Sequence, residues 1–224
     1  MTARLHISCE SPWLVLRLPG RHRMVSWSLN RPGLVEATTV AWRQVGPHEL
    51  APGLDPASWF AGALAGAGLG DAVGLLTARD VASHVHRGAG VDGVRADGVV
   101  TAGLNNGERV GTRHGTAPVA AGTVNIFCRS SVPLTDAALL EAASLVAQAR
   151  TVAIMEAGYR RPGGRHAVTG TGTDCIVMAA PLASPLTGEP QPYAGMHTAI
   201  GEAIGACVEE ATRIAVVDWI AARG

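Results

Sequence analysis

Along the first fifty residues, apolar positions come in short runs: LHIS, WLVLRL, RMVSWSL and LVEATTVAWRQV. Turn residues, among them Pro19-Gly20 and Arg31-Pro32-Gly33, divide them. Runs of this length bounded by glycine and proline predict β-strands. The end of the fourth run alternates, with Thr39, Ala41 and Arg43 on one face and Val40, Trp42 and Gln44 on the other, the period of a half-buried strand. The pattern then changes. Asp55 as cap and Pro56 at the first helical position predict a small helix to about Ala67. AVGLLT (72–77), GVVTAGLNN (98–106) and APVAAGTVNIFCRS (117–130) read as further strands.

Two segments carry the helical period instead. The first opens at Thr135-Asp136 and runs to about Ala157, with Gly158 as its C-terminal stop and Leu139, Ala143, Val146, Ala149 and Ala153 as its apolar stripe. The second runs from about Thr198 to the end of the chain on Ile200, Ile204, Cys207, Ala211 and Ile214, with Glu209 and Arg213 paired on its flank. Long Gly-, Pro- and Arg-rich loops are expected at 158–165 and 181–196. Strands and helices mix without strict alternation, so the expected class is α+β, or an irregular α/β layering. One domain is expected over residues 1–224, with a mixed sheet packed on two long helices of the C-terminal half.

The stretch HAVTGTGTDCIVMAAP (166–181) is unusual. Read as one strand, it places Thr169, Thr171 and Thr173 on one face and Gly170, Gly172 and Asp174 on the other, before an apolar half suited to a central strand. Glycine weakens a strand and marks close approach of a backbone or ligand. A hydroxyl-lined wall with one carboxylate is the functional reading; threonines satisfying one another in a tight strand contact is the structural one.

Composition narrows the chemistry. The chain has 224 residues, 47% of them hydrophobic, and a formal net charge of zero. All 18 basic residues are arginine. A lysine Schiff base, a lysine general base and a Walker-type phosphate loop are therefore excluded. Scattered basic residues give no stripe for nucleic acid. Cys9, Cys128, Cys175 and Cys207 lack C-x-x-C spacing, so zinc-ribbon and thioredoxin readings fail. His84 and His86 share a strand face without an evident third ligand, so no metal site is expected. GAGLG (66–70) has the wrong spacing for a dinucleotide fingerprint. No secretory signal and no run of 18 apolar residues is seen, which makes a cytoplasmic protein without membrane or nucleic-acid partners the expectation. A homo-oligomer is compatible with the sequence.

Four segments, TAGLNN (101–106), GTVNI (122–126), TGTGTD (169–174) and YAGMHTAIGEAIG (193–205), together resemble the adenosylcobinamide amidohydrolase family in order and spacing. VGLLTARDV (73–81) also resembles a family segment, and WSLNRPGL (27–34) does so loosely. The likeness covers nearly the whole chain. It departs at Gln148-Ala149-Arg150-Thr151, where the family has Glu-Ala-Lys-Thr, and at Arg31-Pro32-Gly33, which replaces a double glycine. Such changes can retune substrate preference. The resemblance implies hydrolysis of the amide joining aminopropanol to the corrin ring of adenosylcobinamide, yielding adenosylcobyric acid and 1-amino-2-propanol, in corrinoid salvage for cobalamin biosynthesis. The corrinoid is the substrate and no further cofactor is indicated.

Amide cleavage needs a nucleophile, a proton donor for the leaving amine and donors for the oxyanion. Asp174, at the junction of the hydroxyl-rich and apolar half-strands, is the first candidate for acid–base work. Thr173 and Thr171 are candidates to hold water or to act as nucleophile, beside Gly170 and Gly172. His197 is a candidate base or ligand anchor. Glu202 points away from the apolar stripe, so it serves chemistry only if the N-terminus of its helix faces the site, with Thr198 beside it. Asn105 and Asn125 are candidates for the amide fringe of a corrinoid or for an oxyanion hole; as turn formers they need no ligand. Two alternatives stay open: corrinoid binding without catalysis, and a threonine-nucleophile amidase acting on another amide.

Overall fold

The computed structural model describes residues 4–46, 48–50, 53–112 and 122–223. The opening β-like runs become β1 (His6–Glu10), a long β2 (Trp13–Ser26) and β3 (Gly33–Gln44). RMVSWSL does not stand alone: it ends β2, whose pairing with β3 shifts between Arg17 and His22. Helix α1 (Pro56–Gly66) starts as expected, with the Asp55 carboxylate accepting from the Ala57 and Ser58 N–H groups. It is followed by β4 (Val73–Thr77), a short 3-10 turn (Val81–Ser83), the hairpin β5 (Val85–Val91) and β6 (Val94–Ala102), a two-residue β7 (Gly107–Glu108), and β8 (Val124–Ser130). Residues 117–121 of the strand expected over 117–130 lie outside the described residues.

Helix α2 (Asp136–Glu156) is capped by the Thr135 hydroxyl and followed by Gly158 at φ +68°, the left-handed conformation that ends helices. The stretch that opens on His166 yields a two-residue β9 (Gly170–Thr171) and, after a turn, β10 (Cys175–Pro181). Thr198 caps the closing helix α3 (Ala199–Ala221).

Among the described residues, eight strands form one mixed sheet in the order β4-β3-β2-β10-β8-β6-β5, with β1 paired to β2. β10 is parallel to β8, and β3 to β4. The sheet has two apolar faces, as α+β layering requires. Ile126, Cys128, Ile176 and Met178 pack under α2 and α3. The intervening residues Phe127, Cys175, Val177 and Ala179 face the other way, together with Leu14, Leu16, Val40, Trp42 and Leu75 from the opposite wing. The sheet therefore curls over its own second face. The Asn125 Nδ2–H donates to the Leu76 carbonyl at 2.6 Å, joining β8 to β4 although β10, β2 and β3 lie between them in the sheet. α1 covers the outside of the far wing, where a Cβ on Gly74 would lie 2.5 Å from the Phe60 ring.

α2 is long and apolar enough to cross a membrane by length and composition. In this fold it lies along β10 and α3, bonds the Ala194 N–H through Glu141 and carries Arg150 to the buried Asp174.

Candidate active site

The curl leaves a cavity of about 430 Å³ at one end of the sheet. Its floor is built where chain segments far apart in sequence meet. The turn at Gly172 and Thr173 folds β9 back toward β10, so Thr171, Thr173 and Asp174 converge rather than alternate as a straight strand would have them.

Asp174 is the organiser. Its side chain is 6% exposed and pairs with Arg150 of α2 at 3.1 Å. Oδ1 accepts from the Val124 N–H at 2.8 Å and from the Thr171 hydroxyl; Oδ2 accepts from the Thr171 N–H at 2.9 Å. One carboxylate thus ties β8, β9 and α2 together. Burial pushes its carboxyl above the ordinary carboxylate range, and the Arg150 guanidinium with the Thr171 and Val124 donors pulls it back only in part.

A line of hydroxyls leads from Asp174 toward the cavity. The Thr171 and Thr173 hydroxyls are 3.4 Å apart. Thr173 Oγ1 lies 3.2 Å from Thr123 Oγ1 and 2.9 Å from the Gly122 carbonyl. Thr123 Oγ1 in turn donates to the Thr173 carbonyl at 2.8 Å. Thr173, Thr123, Asn125 and Asp174 all line the cavity. Asn125 is buried by its bond to Leu76.

The glycines differ in role. A Cβ on Gly170 would stand 2.5 Å from Asp174 Oδ2, so that glycine makes room for the buried ion pair. Gly172 lines the cavity with nothing within 4 Å of its would-be Cβ. A Cβ on Gly122 would meet the Asn105 N, the Asn106 Oδ1 and the Gly103 oxygen, each at 2.8 Å, which is how the segments around 103 and 122 come to touch. Asn105 itself lines a smaller neighbouring cavity of about 270 Å³ with Arg79, Asp80, Trp219 and Arg223, sharing Ala78 and Gly122 with the main one.

The rim is apolar. Trp27, 53% exposed, donates its indole N–H to the Asp174 carbonyl at 2.6 Å and stands over the opening. Leu29, 52% exposed, and Leu50 complete the wall. Asn30 fixes the Trp27–Leu29 loop, accepting from the Gly74 N–H and donating to the Ala72 carbonyl. Arg43 pairs with Glu49 at 2.5 Å, and the other Glu49 oxygen accepts from the Gly46 N–H, holding the turn before Leu50.

The structure does not bring His197, Thr198 and Glu202 to this place. They sit at the start of α3, whereas its end, Trp219, packs near Gly103 and Gly122. The 23 residues of α3 separate the two groups by roughly 30 Å at about 1.5 Å per residue. There the tight turn has a packing explanation. A Cβ on Gly201 would overlap the Gly195 carbonyl, Thr198 caps the helix, and Ala194 N–H donates to Glu141 at 2.7 Å. His197 and Glu202 are exposed.

Sequence reasoning had Arg150 only as a departure from a family pattern; it is the partner of Asp174. Trp27 and Thr123 lie within the motif segments WSLNRPGL and GTVNI but carry no candidate role from the sequence alone. The signal for Thr123 was its place two residues before Asn125, next to a glycine at the start of a strand. Cys175 also lines the cavity, where burial pushes its thiol up to about 12, which disfavours the thiolate. The histidines considered as a metal pair have other partners: His86 bonds Asp97 and His84 the Val81 carbonyl.

Comparison with known proteins identifies the family. The family model for adenosylcobinamide amidohydrolase matches residues 1–224. The adenosylcobinamide amidohydrolase of Halobacterium salinarum is 32% identical over 120 residues, 50% of this chain and 46% of that protein. An uncharacterized protein of Methanocaldococcus jannaschii is 34% identical over 99 residues, 43% of this chain and 36% of that protein. The matched part of the chain thus spans about half or less of the length of these curated relatives. A solved structure of a Pyrococcus horikoshii OT3 protein superposes over 92% of this chain and 77% of its own, with a TM-score of 0.47 and 10% identity. By the match along its whole length, the chain belongs to the adenosylcobinamide amidohydrolase family.

Proposed function

We propose that this protein hydrolyses the amide bond between aminopropanol and the corrin ring of adenosylcobinamide, releasing adenosylcobyric acid and 1-amino-2-propanol, and that it serves corrinoid salvage in the cytoplasm. Family membership supports the reaction. The observation that carries the reading is the line Thr173–Thr171–Asp174 at the floor of an apolar-rimmed cavity.

The cavity, about 430 Å³, is near the small end of the roughly 300–1,000 Å³ that enclose drug-sized ligands. A corrinoid does not fit inside it. The aminopropanol arm does, with the macrocycle lying across Trp27, Leu29 and Leu50. The scissile carbonyl then meets the Thr173 and Thr123 hydroxyls. Water attacking that carbon gives up a proton through the Thr173 and Thr171 hydroxyls to Asp174. The leaving alkylamine needs a proton, and a carboxyl raised by burial is suited to return it. Asn125 and Thr123 orient the amide. The acid and amine account for all atoms of substrate and water.

One observation favours a second reading. Both Asp174 oxygens already accept from two donors each, which is also what a corrinoid-binding protein without turnover would keep. Incubation with adenosylcobinamide and mass spectrometry for both products separates the two. Products that disappear in Asp174→Asn support hydrolysis. Bound but unchanged corrinoid selects the binding protein, and absence of both sinks the assignment of this cavity. Intact-mass analysis distinguishes water attack from a covalent acyl-threonine at Thr173.

A further inference from the structure

A third cavity, of about 270 Å³, shares no lining residue with the main one. Among the described residues it is formed by two segments, 109–112 and 161–168, and its polar lining is Arg109, Arg161, Arg165, His166 and Thr112. The second segment is a closed loop. The Val168 N–H donates to the Tyr159 carbonyl at 3.0 Å, and the Gly164 N–H to the Arg161 carbonyl at 2.8 Å. β7 and β9 pair as a two-stranded antiparallel ribbon, and Arg109 Nη1 pins this ribbon to the loop through the Ala167 carbonyl at 3.1 Å.

These cations are poorly compensated. Glu108 is the carboxylate that reaches them among the described residues, 3.4 Å from Arg161. Arg161 also reaches the Gly107 carbonyl at 3.5 Å. A guanidinium has five N–H donors; among the described residues Arg109 gives one to the Ala167 carbonyl, and Arg161 uses Nη1 toward the Gly107 carbonyl and Glu108. Arg165 is exposed. In a chain of zero net charge, gathering three guanidiniums around one concavity costs repulsion that an anion would relieve. Planar forks of this kind match the oxygens of phosphate, and Val168 gives the cavity an apolar wall for an organic substituent.

We propose that this cavity is a binding site for a phosphate-type oxyanion, either inorganic phosphate or a phosphate monoester, held by Arg109, Arg161 and Arg165. The assignment is independent of the amidase reading. The site sits on the ribbon that leads into the catalytic turn: Thr169 N–H donates to the Glu108 carbonyl at 2.8 Å, and Val110 N–H to Thr169 Oγ1 at 2.8 Å.

The test is calorimetric titration of the full chain with inorganic phosphate and, separately, with AMP, at ionic strength held constant with chloride. Saturable binding is expected, weakened at least tenfold in Arg165→Gln and further in the Arg161→Gln/Arg165→Gln double variant, with unchanged circular dichroism and melting. AMP binding tenfold tighter than phosphate would identify a monoester ligand; equal affinities would identify the phosphate group alone. No saturable binding of either probe, or equal binding by wild type and the double variant, overturns the proposal.

Discussion

Among the described residues, an aspartate–arginine pair at the cavity and another across two strands of the sheet behave in opposite ways. Asp174 and Arg150 meet at the cavity end, 3.1 Å apart with side chains 6% and 16% exposed. Asp97 and Arg129 meet on neighbouring strands β6 and β8, near the far end, 2.9 Å apart with 13% and 11% exposed. The second pair has a further partner in His86, 3.3 Å from Asp97. Burial works against the Asp97 carboxylate too, but the His86 hydrogen bond and the Arg129 charge outweigh it and hold Asp97 below the ordinary range. At Asp174 burial wins. The difference teaches that a formal ion pair is not a measure of how comfortable a charge is. The balance between desolvation and partners sets the sign, and the carboxylate pushed up is the one that lines the cavity.

The sharpest way to break the comparison is to remove each carboxylate. Asp174→Asn is expected to lower kcat for adenosylcobinamide by about 10²–10⁴-fold, the usual worth of a general acid or base, measured by product formation on protein that still melts cooperatively. Asp97→Asn should leave kcat unchanged and cost about 1–3 kcal/mol in urea unfolding, as loss of a buried hydrogen-bonded charge does. Equal activity losses in the two variants would dissolve the distinction.

Next comes the cation. Arg150→Met leaves the Asp174 carboxylate buried beside an apolar chain. A loss of about 3–5 kcal/mol in unfolding free energy is expected, read from chemical denaturation. The double variant Arg150→Met/Asp174→Asn should recover much of that loss, because no unpaired charge remains. A double variant less stable than Arg150→Met would show that the pair is held for packing instead of charge.

Smaller effects are expected at the two glycines. Gly170→Ala drives a methyl against Asp174 Oδ2, at 2.5 Å, whereas Gly172→Ala meets nothing within 4 Å. The first should reduce kcat about tenfold by displacing the carboxylate, since even a 1 Å misplacement is costly. The second should leave kcat intact and raise KM modestly by narrowing the cavity. Reversed effects in the kinetics would mean that Gly170, not Gly172, faces the substrate.

These glycines also show what the sequence could and could not convey. Local signals were legible: the Asp55, Thr135 and Thr198 caps, the Gly158 stop and both long helices follow from side-chain chemistry within a few residues. So did the presence of strands around 73–77 and 124–130. The alternation expected across Thr169–Asp174 gives way to a turn in which Asp174 accepts from the Thr171 and Val124 N–H groups. The partner of Asp174 was out of reach, since Arg150 is brought to it by the packing of α2 on β10. The same tertiary arrangement leaves His197 and Glu202 at the start of α3, outside the cavity that Asp174 lines. An ordered set of motifs gives membership, but not distance.

The last test separates the two aspartates by pH, and its effect is the smallest. A carboxyl held below its unfolded value contributes stability that is present above that value and is lost as pH falls through its folded one. Asp97 is such a group, so the stability advantage of wild type over Asp97→Asn should shrink as pH drops from 6 toward roughly 3, through the ordinary carboxylate range near ~3.9. A carboxyl raised on folding behaves in the opposite sense: its contribution is fully present below the unfolded value and is lost as pH rises through the folded one. Asp174 is that case, so wild type should gain on Asp174→Asn over the same fall in pH. Each difference is bounded by one proton, about 1.4 kcal/mol per pH unit. Urea midpoints at matched ionic strength give both curves. If the two differences move with the same sign, the contrast between the paired carboxylates is wrong, and Asp174 is a second structural ion pair instead of the acid that the cavity needs.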